Sequence, residues 1–150
     1  MIGSVSAHIC AAPEVIYDLV ADITRMGEWS PECYRCEWLE GSAQAEPGAR
    51  LRGYNRSGWI KWSNTSEIVA ADRGRELSWI MGGQEKRYSL WRYTFVPEDG
   101  GTMVTEAFQS LRHTLLGRLG ALPLGGERKR EGALLAGMES TLARLKVAAE

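Results

Sequence analysis

The chain has 150 residues, of which 44% are hydrophobic and 25% charged. That is enough to close one core without staples, and it is the mix of a folded soluble domain rather than a disordered chain. Lys and Arg number 18 against 19 Asp and Glu, a formal charge of −1, which excludes the basic excess of a dedicated nucleic-acid or anionic-membrane binder.

The chain opens with Val5, Ala7, Ile9 and Ala11 alternating with Ser4, Ser6, His8 and Cys10. Period two predicts a strand with one buried face. Ala12-Pro13-Glu14 then opens a helix, because proline fits the first helical position and an acidic residue complements the positive helix end. A short second helix is predicted over Thr24–Glu28, stopped by Trp29-Ser30-Pro31. Cys33-Tyr34-Arg35-Cys36 follows. This spacing fits a redox pair or half a zinc site, but the surrounding pattern from Cys33 to Leu39 reads as a strand, not the helix start that lowers a thiol pKa. With Cys10 the total is three, and an odd number argues against a disulfide framework.

Five further strands are predicted. Their alternation places Leu51, Gly53 and Asn55 on one face, then Trp62, Asn64, Ser66 and Ile68. The same face continues with Leu77, Trp79 and Met81, with Trp91, Tyr93 and Phe95, and with Val104, Glu106 and Phe108. Arg50, Arg52, Lys61, Glu67, Arg92 and Thr105 fall on the opposite face. Short turns at Arg56-Ser57-Gly58, Asp72–Arg75 and Pro97–Gly101 imply an antiparallel meander. Leu134, Leu135, Met138, Leu142 and Leu145 recur at three and four residues within Glu127–Ala148, which predicts a long amphipathic helix. The expected fold is α+β: a seven-stranded curved antiparallel sheet wrapped around a long C-terminal helix, with two short helices after the first strand, in a single domain over 1–150. The polar loop Gly82–Lys86 and the breaker-rich segment Leu115–Gly126 are expected to form a mobile rim.

This order resembles the START-like, or SRPBCC, superfamily. The resemblance rests on Ala11–Tyr17 after the first strand, on Met26-Gly27-Glu28-Trp29-Ser30-Pro31-Glu32, on the Gly48–Trp59 hairpin and on Gly101–Glu106. It covers nearly the whole chain and points to the polyketide cyclase/dehydrase and lipid-transport branch. It implies a helix-grip fold holding a hydrophobic small molecule between sheet and helix, with no general metal or cofactor.

Six Trp and five Tyr against two Phe suit such a cavity, since both rings pair a large apolar face with a polar handle. Four polar residues, Asn55, Asn64, Ser66 and Glu106, sit on the apolar phase, where an unpartnered group costs about 1–3 kcal/mol. They form a satisfied network, contact a ligand or act in catalysis. Glu106 is the candidate acid/base, since burial raises a carboxyl pKa. The expected ligand-binding set is Trp29, Asn55, Trp59, Trp62, Asn64, Ser66, Trp79, Met81, Trp91, Tyr93, Phe108 and Met138. Trp29 packs beneath the helix pair or faces the mouth, and Trp59 is expected at the pocket rim. Arg128-Lys129-Arg130 reads as a solvated turn, or as a contact for an anionic partner or a membrane. No inward His or Lys accompanies Glu106, so binding of an apolar or aromatic molecule is favoured over a cyclase or dehydrase. A protein that sequesters a reactive polyketide, as in antibiotic self-resistance, is the third reading. No leader and no run of about 20 apolar residues is seen. The expectation is therefore a cytoplasmic protein without stable membrane insertion, a monomer or weak homodimer, with no nucleic-acid partner, metal or cofactor.

Overall fold

The computed structural model describes residues 1–112 and 122–150. The strands are β1 (Ile2–Ile9), β2 (Cys33–Leu39), β3 (Arg50–Ser57), β4 (Ile60–Asp72), β5 (Glu76–Met81), β6 (Ser89–Glu98) and β7 (Gly101–Ser110). The helices are α1 (Pro13–Ala21), α2 (Met26–Trp29), α3 (Gly83–Lys86) and α4 (Glu127–Ala149), with 3-10 turns at Ile23–Arg25 and Leu122–Leu124. One antiparallel sheet runs in the order β1-β7-β6-β5-β4-β3-β2. The order, the sheet and the long terminal helix agree with the helix-grip architecture expected from the sequence.

Sheet order explains the helices between the first two strands. β1 and β2 are consecutive in the chain but lie at opposite edges of the sheet. α1, the 3-10 turn and α2 carry the chain from one edge to the other. Pro13 starts α1 and Glu14 sits in its first turn. Asp22 caps the 3-10 turn, its carboxylate accepting from the Thr24 N–H and hydroxyl at 3.3 and 2.5 Å. Where α2 meets β2 there is no room for a side chain. A Cβ on Gly27 would stand 2.4 Å from the Tyr34 carbonyl oxygen.

The concave face has two zones. At one end Ile9, Ile68, Leu77, Phe95 and Val104 meet Ile16, Tyr17 and Val20 of α1 and Leu142 and Leu145 of α4 in one buried cluster. Tyr17 meets Phe95 edge-on, with ring centroids 5.7 Å apart. Toward the other end three inward tryptophans, Trp62, Trp79 and Trp91, are only half-buried. Sequence periodicity predicts a helix lying on the sheet through Leu134, Leu135, Met138, Leu142 and Leu145. Along α4, Met138, Leu142 and Leu145 are buried, whereas Leu134 and Leu135 stay half-buried. The C-terminal half of the helix is packed into the core, and its first turns roof a cavity.

Two strands carry bulges, in β2 between Cys33 and Arg35 and in β4 between Ile68 and Ala70. Each adds a residue to one strand, bends it and inverts the phase beyond it. After the second bulge Ala71, not Ala70, packs against the core.

The rim expected from the sequence is placed in part. Residues 115–121 lie outside the described residues. Gly82–Lys86 is not an open loop: Gly83–Lys86 forms the single turn α3, and Arg50 of β3 holds Glu85 at 3.2 Å.

Met138 is 3% exposed. Met138→Asp leaves an unpaired charge in the core and is expected to cost roughly 3–5 kcal/mol, against less than about 1.5 kcal/mol for Met138→Leu. Gly27→Ala is expected to lower stability as well, because β2 must retreat. Urea unfolding of the three variants checks both; wild-type midpoints for Met138→Asp would mean α4 does not seal the sheet.

Candidate functional site

The open end of the concave face encloses a cavity of about 660 Å³, within the range that holds one small ligand. Its walls are the inward positions of successive strands: Leu51, Gly53 and Asn55 from β3, Trp62, Asn64 and Ser66 from β4, Trp79 and Met81 from β5. Trp91 and Tyr93 of β6 and Glu106 and Phe108 of β7 complete the sheet side. Ile23 and Met26 close it from the crossing helices, and Arg130 and Leu134 from α4.

Cross-strand register builds an aromatic floor. Trp79 faces Trp91, and Trp91 faces Phe108. The Trp79 and Trp91 rings are nearly parallel, 6° apart with centroids at 6.4 Å; Phe108 lies 5.4 Å from Trp91 and Tyr93 5.9 Å from Trp79. The Trp91 indole N–H donates to Ser89 Oγ at 3.1 Å. Such a floor presents π faces to a flat apolar ligand.

The polar feature of the wall is Glu106, directly opposite Tyr93. Both are buried, at 6% and 1% exposure. The Tyr93 hydroxyl lies beside the Glu106 carboxyl and favours its ionised form. Burial raises the Glu106 pKa to about 8, against the smaller lowering from that hydroxyl. Tyr93 is pushed well above its ordinary value, first by burial and then by the neighbouring Glu106. Glu106 Oε2 has no hydrogen-bond partner among the described residues. It is a buried polar atom with unused capacity, on a residue that lines the cavity.

Three residues of the expected ligand-binding set are placed elsewhere. Trp59 sits at the β3–β4 turn with its side chain fully exposed, so it does not rim the pocket: a hairpin tip has no partner layer. Trp29 is buried in the core cluster, with the Arg25 guanidinium 5.0 Å over its ring and its carbonyl accepting from Arg144 at 3.2 Å. It packs beneath the helices rather than facing the mouth. Met138 is buried and, with Leu134 and Gly137, lines a smaller adjoining cavity of about 360 Å³ rather than the main one.

Sequence reasoning missed residues on the near side of the cavity. Arg130 reads as part of a solvated run, but its side chain is 14% exposed. Its guanidinium grips the Glu32 carboxylate with both ends, one at 2.7 Å, and lies 5.4 Å over Trp62. Arg128 and Lys129 remain exposed. Cys33 and Cys36 also line the cavity. Three residues apart in a regular strand they would face opposite sides. The β2 bulge leaves Tyr34 as the extra residue, so Cys33 pairs with Asn55 and Cys36 with Gly53, both inward positions. Nothing in the order Cys33-Tyr34-Arg35-Cys36 marks this bulge.

His8 is spent on the outer face, its Nε2 2.7 Å from the Glu98 carbonyl. His113 lies outside the described residues. No group of three or more His, Cys, Asp or Glu suited to a metal ion occurs among the described residues, and none of their helices is long and apolar enough to cross a membrane.

Comparison with known proteins agrees with this geometry. Among solved structures, a Polyketide_cyc-like protein from Corynebacterium glutamicum, Cgl2372, is 28% identical, with 98% of this chain and 90% of that one covered and a TM-score of 0.63. Protein Ms6760 from Mycobacterium smegmatis is 19% identical over 98% and 89% of the two chains, with a TM-score of 0.67. StfQ, a di-domain ARO/CYC from the steffimycin biosynthetic pathway, superposes with a TM-score of 0.74 at 14% identity, covering 99% of this chain and 50% of that one. A search of curated proteins found no match. The family model described as polyketide cyclase / dehydrase and lipid transport matches residues 3–150: the chain belongs to that family.

Proposed function

We propose that this protein binds an apolar, aromatic small molecule of polyketide- or lipid-like character in the cavity between sheet and α4. The observation that carries the reading is the Trp79–Trp91–Phe108 floor, open to about 660 Å³ of space beside one buried carboxyl. Trp62, Met81, Asn55, Asn64 and Ser66 are the other proposed contacts. Stacking supplies most of the affinity, and the polar groups orient the ligand.

Glu106 gives this reading its chemistry. With a pKa of about 8 the carboxyl is mostly protonated at neutral pH. It meets a ligand as a hydrogen-bond donor, which suits a carbonyl or hydroxyl oxygen and penalises a carboxylate. The same property supports a second reading, turnover as a cyclase or dehydrase. A neutral carboxylic acid protonates a departing hydroxyl or an enolising carbonyl. Removing a proton from between two carbonyls instead requires the ionised form. Acid-assisted dehydration is therefore the step this residue serves best near pH 7, with Tyr93 holding the carboxyl in place.

Two measurements test the pair of readings. Titration with a naphthoquinone or anthraquinone, followed by quenching of tryptophan fluorescence, is expected to saturate. Glu106→Gln keeps shape and donor capacity, so affinity should change by about tenfold or less, roughly 1.4 kcal/mol. If a poly-β-ketone is converted, the same variant should lower turnover by about 10²–10⁴ while binding survives. Quenching without saturation would remove the binding reading.

The buried carboxyl also fixes a pH dependence. Its folded pKa, about 8, lies above the ordinary 4.5, so the folded state binds the proton more tightly. The stability contributed by the protonated group is full below about 4.5, declines as the pH rises and is lost above about 8, at about 1.4 kcal/mol per pH unit. The difference in unfolding free energy between wild type and Glu106→Gln should follow this course in urea titrations across that window. A difference independent of pH would mean Glu106 is not buried as described.

A further inference from the structure

The mouth-side wall carries chemistry that binding alone does not use. Cys33 Sγ and Cys36 Sγ lie 3.4 Å apart, and both line the cavity. Opposite them is Gly53, where a Cβ would touch the Cys33 sulfur at 3.6 Å, the Cys36 sulfur at 3.7 Å and Asn64 Oδ1 at 3.6 Å. Glycine at this position leaves the thiols and the Asn64 amide facing the same open space. The two sulfurs are not equivalent. Cys36 is buried, while Cys33 is half-buried. Cys10 is exposed at the far end of β1, its backbone N–H bonded to Glu150 at 2.8 Å.

Resting on the binding reading above, we propose that Cys33 captures α,β-unsaturated carbonyl ligands covalently within the cavity, with Cys36 as its positioning residue. The Cys33 sulfur adds to the β-carbon of the bound enone. The S–C bond forms as the C=C pair moves onto the carbonyl oxygen, giving an enolate. The proton lost from the thiol returns to the α-carbon. Nothing is oxidised and no group leaves. Asn64, whose Oδ1 faces the thiols, and Asn55, the cross-strand neighbour of Cys33, are the polar groups on the same wall.

The electrostatics agree with these roles. The hydrogen bond with Cys36 holds the Cys33 thiol below its ordinary value despite desolvation, and the Cys33 thiol also reaches the Arg35 carbonyl at 3.5 Å as a donor. The hydrogen bond to Cys33 and burial push the Cys36 thiol far upward, so it keeps its proton and serves as donor. An adjacent donor stabilising the thiolate is what makes one of two neighbouring thiols the nucleophile. An aromatic floor that holds an enone beside it raises the local concentration of the electrophile.

The test uses the reduced, desalted protein with benzylideneacetone as an aryl enone, benzylacetone as its saturated analogue and acrylamide as a small electrophile. Adducts are located by intact-mass and peptide mass spectrometry. Benzylideneacetone should add one equivalent at Cys33, at a rate that saturates with concentration and exceeds that at Cys10 by about tenfold or more. Acrylamide should label Cys10 at least as fast as Cys33. Cys33→Ser and Cys33→Ala should abolish the saturable adduct, and Cys36→Ala should slow it. If either Cys33 variant fails to fold, the wild-type ratio of Cys33 to Cys10 labelling still decides the matter. Saturable tryptophan quenching by benzylacetone without preferential Cys33 labelling would overturn capture and leave binding intact. No quenching, with Cys33 labelling linear in concentration, would overturn both. Equal preference for acrylamide would reduce Cys33 to an ordinary reactive thiol and overturn capture.

Discussion

The structure depends on a mismatch between one long concave face and the helices available to cover it. Seven strands present an apolar surface that α1 and the C-terminal half of α4 fill at one end only. There Ile9, Ile68, Leu77 and Val104 are completely buried, and burial of such side chains is what stabilises the domain. At the other end α4 stands off the sheet. The inward residues become Trp and polar groups, and space remains. Cavity and core are two ends of one surface, separated by how far the helices reach.

Tyr93 and Glu106 sit at the junction. Their neighbours along the strands are Phe95 and Val104 on the core side and Trp91 and Phe108 on the cavity side. That position explains the behaviour of the carboxyl. It is close enough to the core to lose its solvation, and it lines the space that a ligand would occupy. A carboxyl one pair further toward the core, at the position of Val104, would be fully buried and away from the cavity. Arg130 works at the opposite limit of the cavity, where pairing with Glu32 ties the first turns of α4 to the entry of β2. The roof is thus held by an ion pair and a cation–π contact, whereas the sealed end is held by apolar packing.

Periodicity was enough to identify the inward face of the central strands. Leu51, Gly53, Asn55, Trp62, Asn64, Ser66, Trp79, Met81, Trp91, Tyr93, Glu106 and Phe108 alternate in an unbroken phase, and all of them line one cavity. Strand geometry puts alternate residues on one side wherever no bulge intervenes, and Leu77, Phe95 and Val104 share that phase inside the sealed core. Trp29 and Met138 could not be placed in the same way. They lie on helices, and whether a helical residue meets the core or a void depends on how deeply the helix is seated. Trp59 belongs to a turn, where no period applies.

Composition, the two-residue alternation and the late helical repeat of this sequence therefore determine an antiparallel sheet, its inward face and a long helix to cover it. Those properties are local, written in the order of apolar and polar residues along each segment. The tertiary structure alone decided where helix and sheet part to leave a cavity, that Arg130 turns inward to Glu32, and that Cys33 and Cys36 share a wall. Each of these depends on distances between segments far apart in the chain, or on a bulge whose extra residue, Tyr34, is defined only by the strand it pairs against.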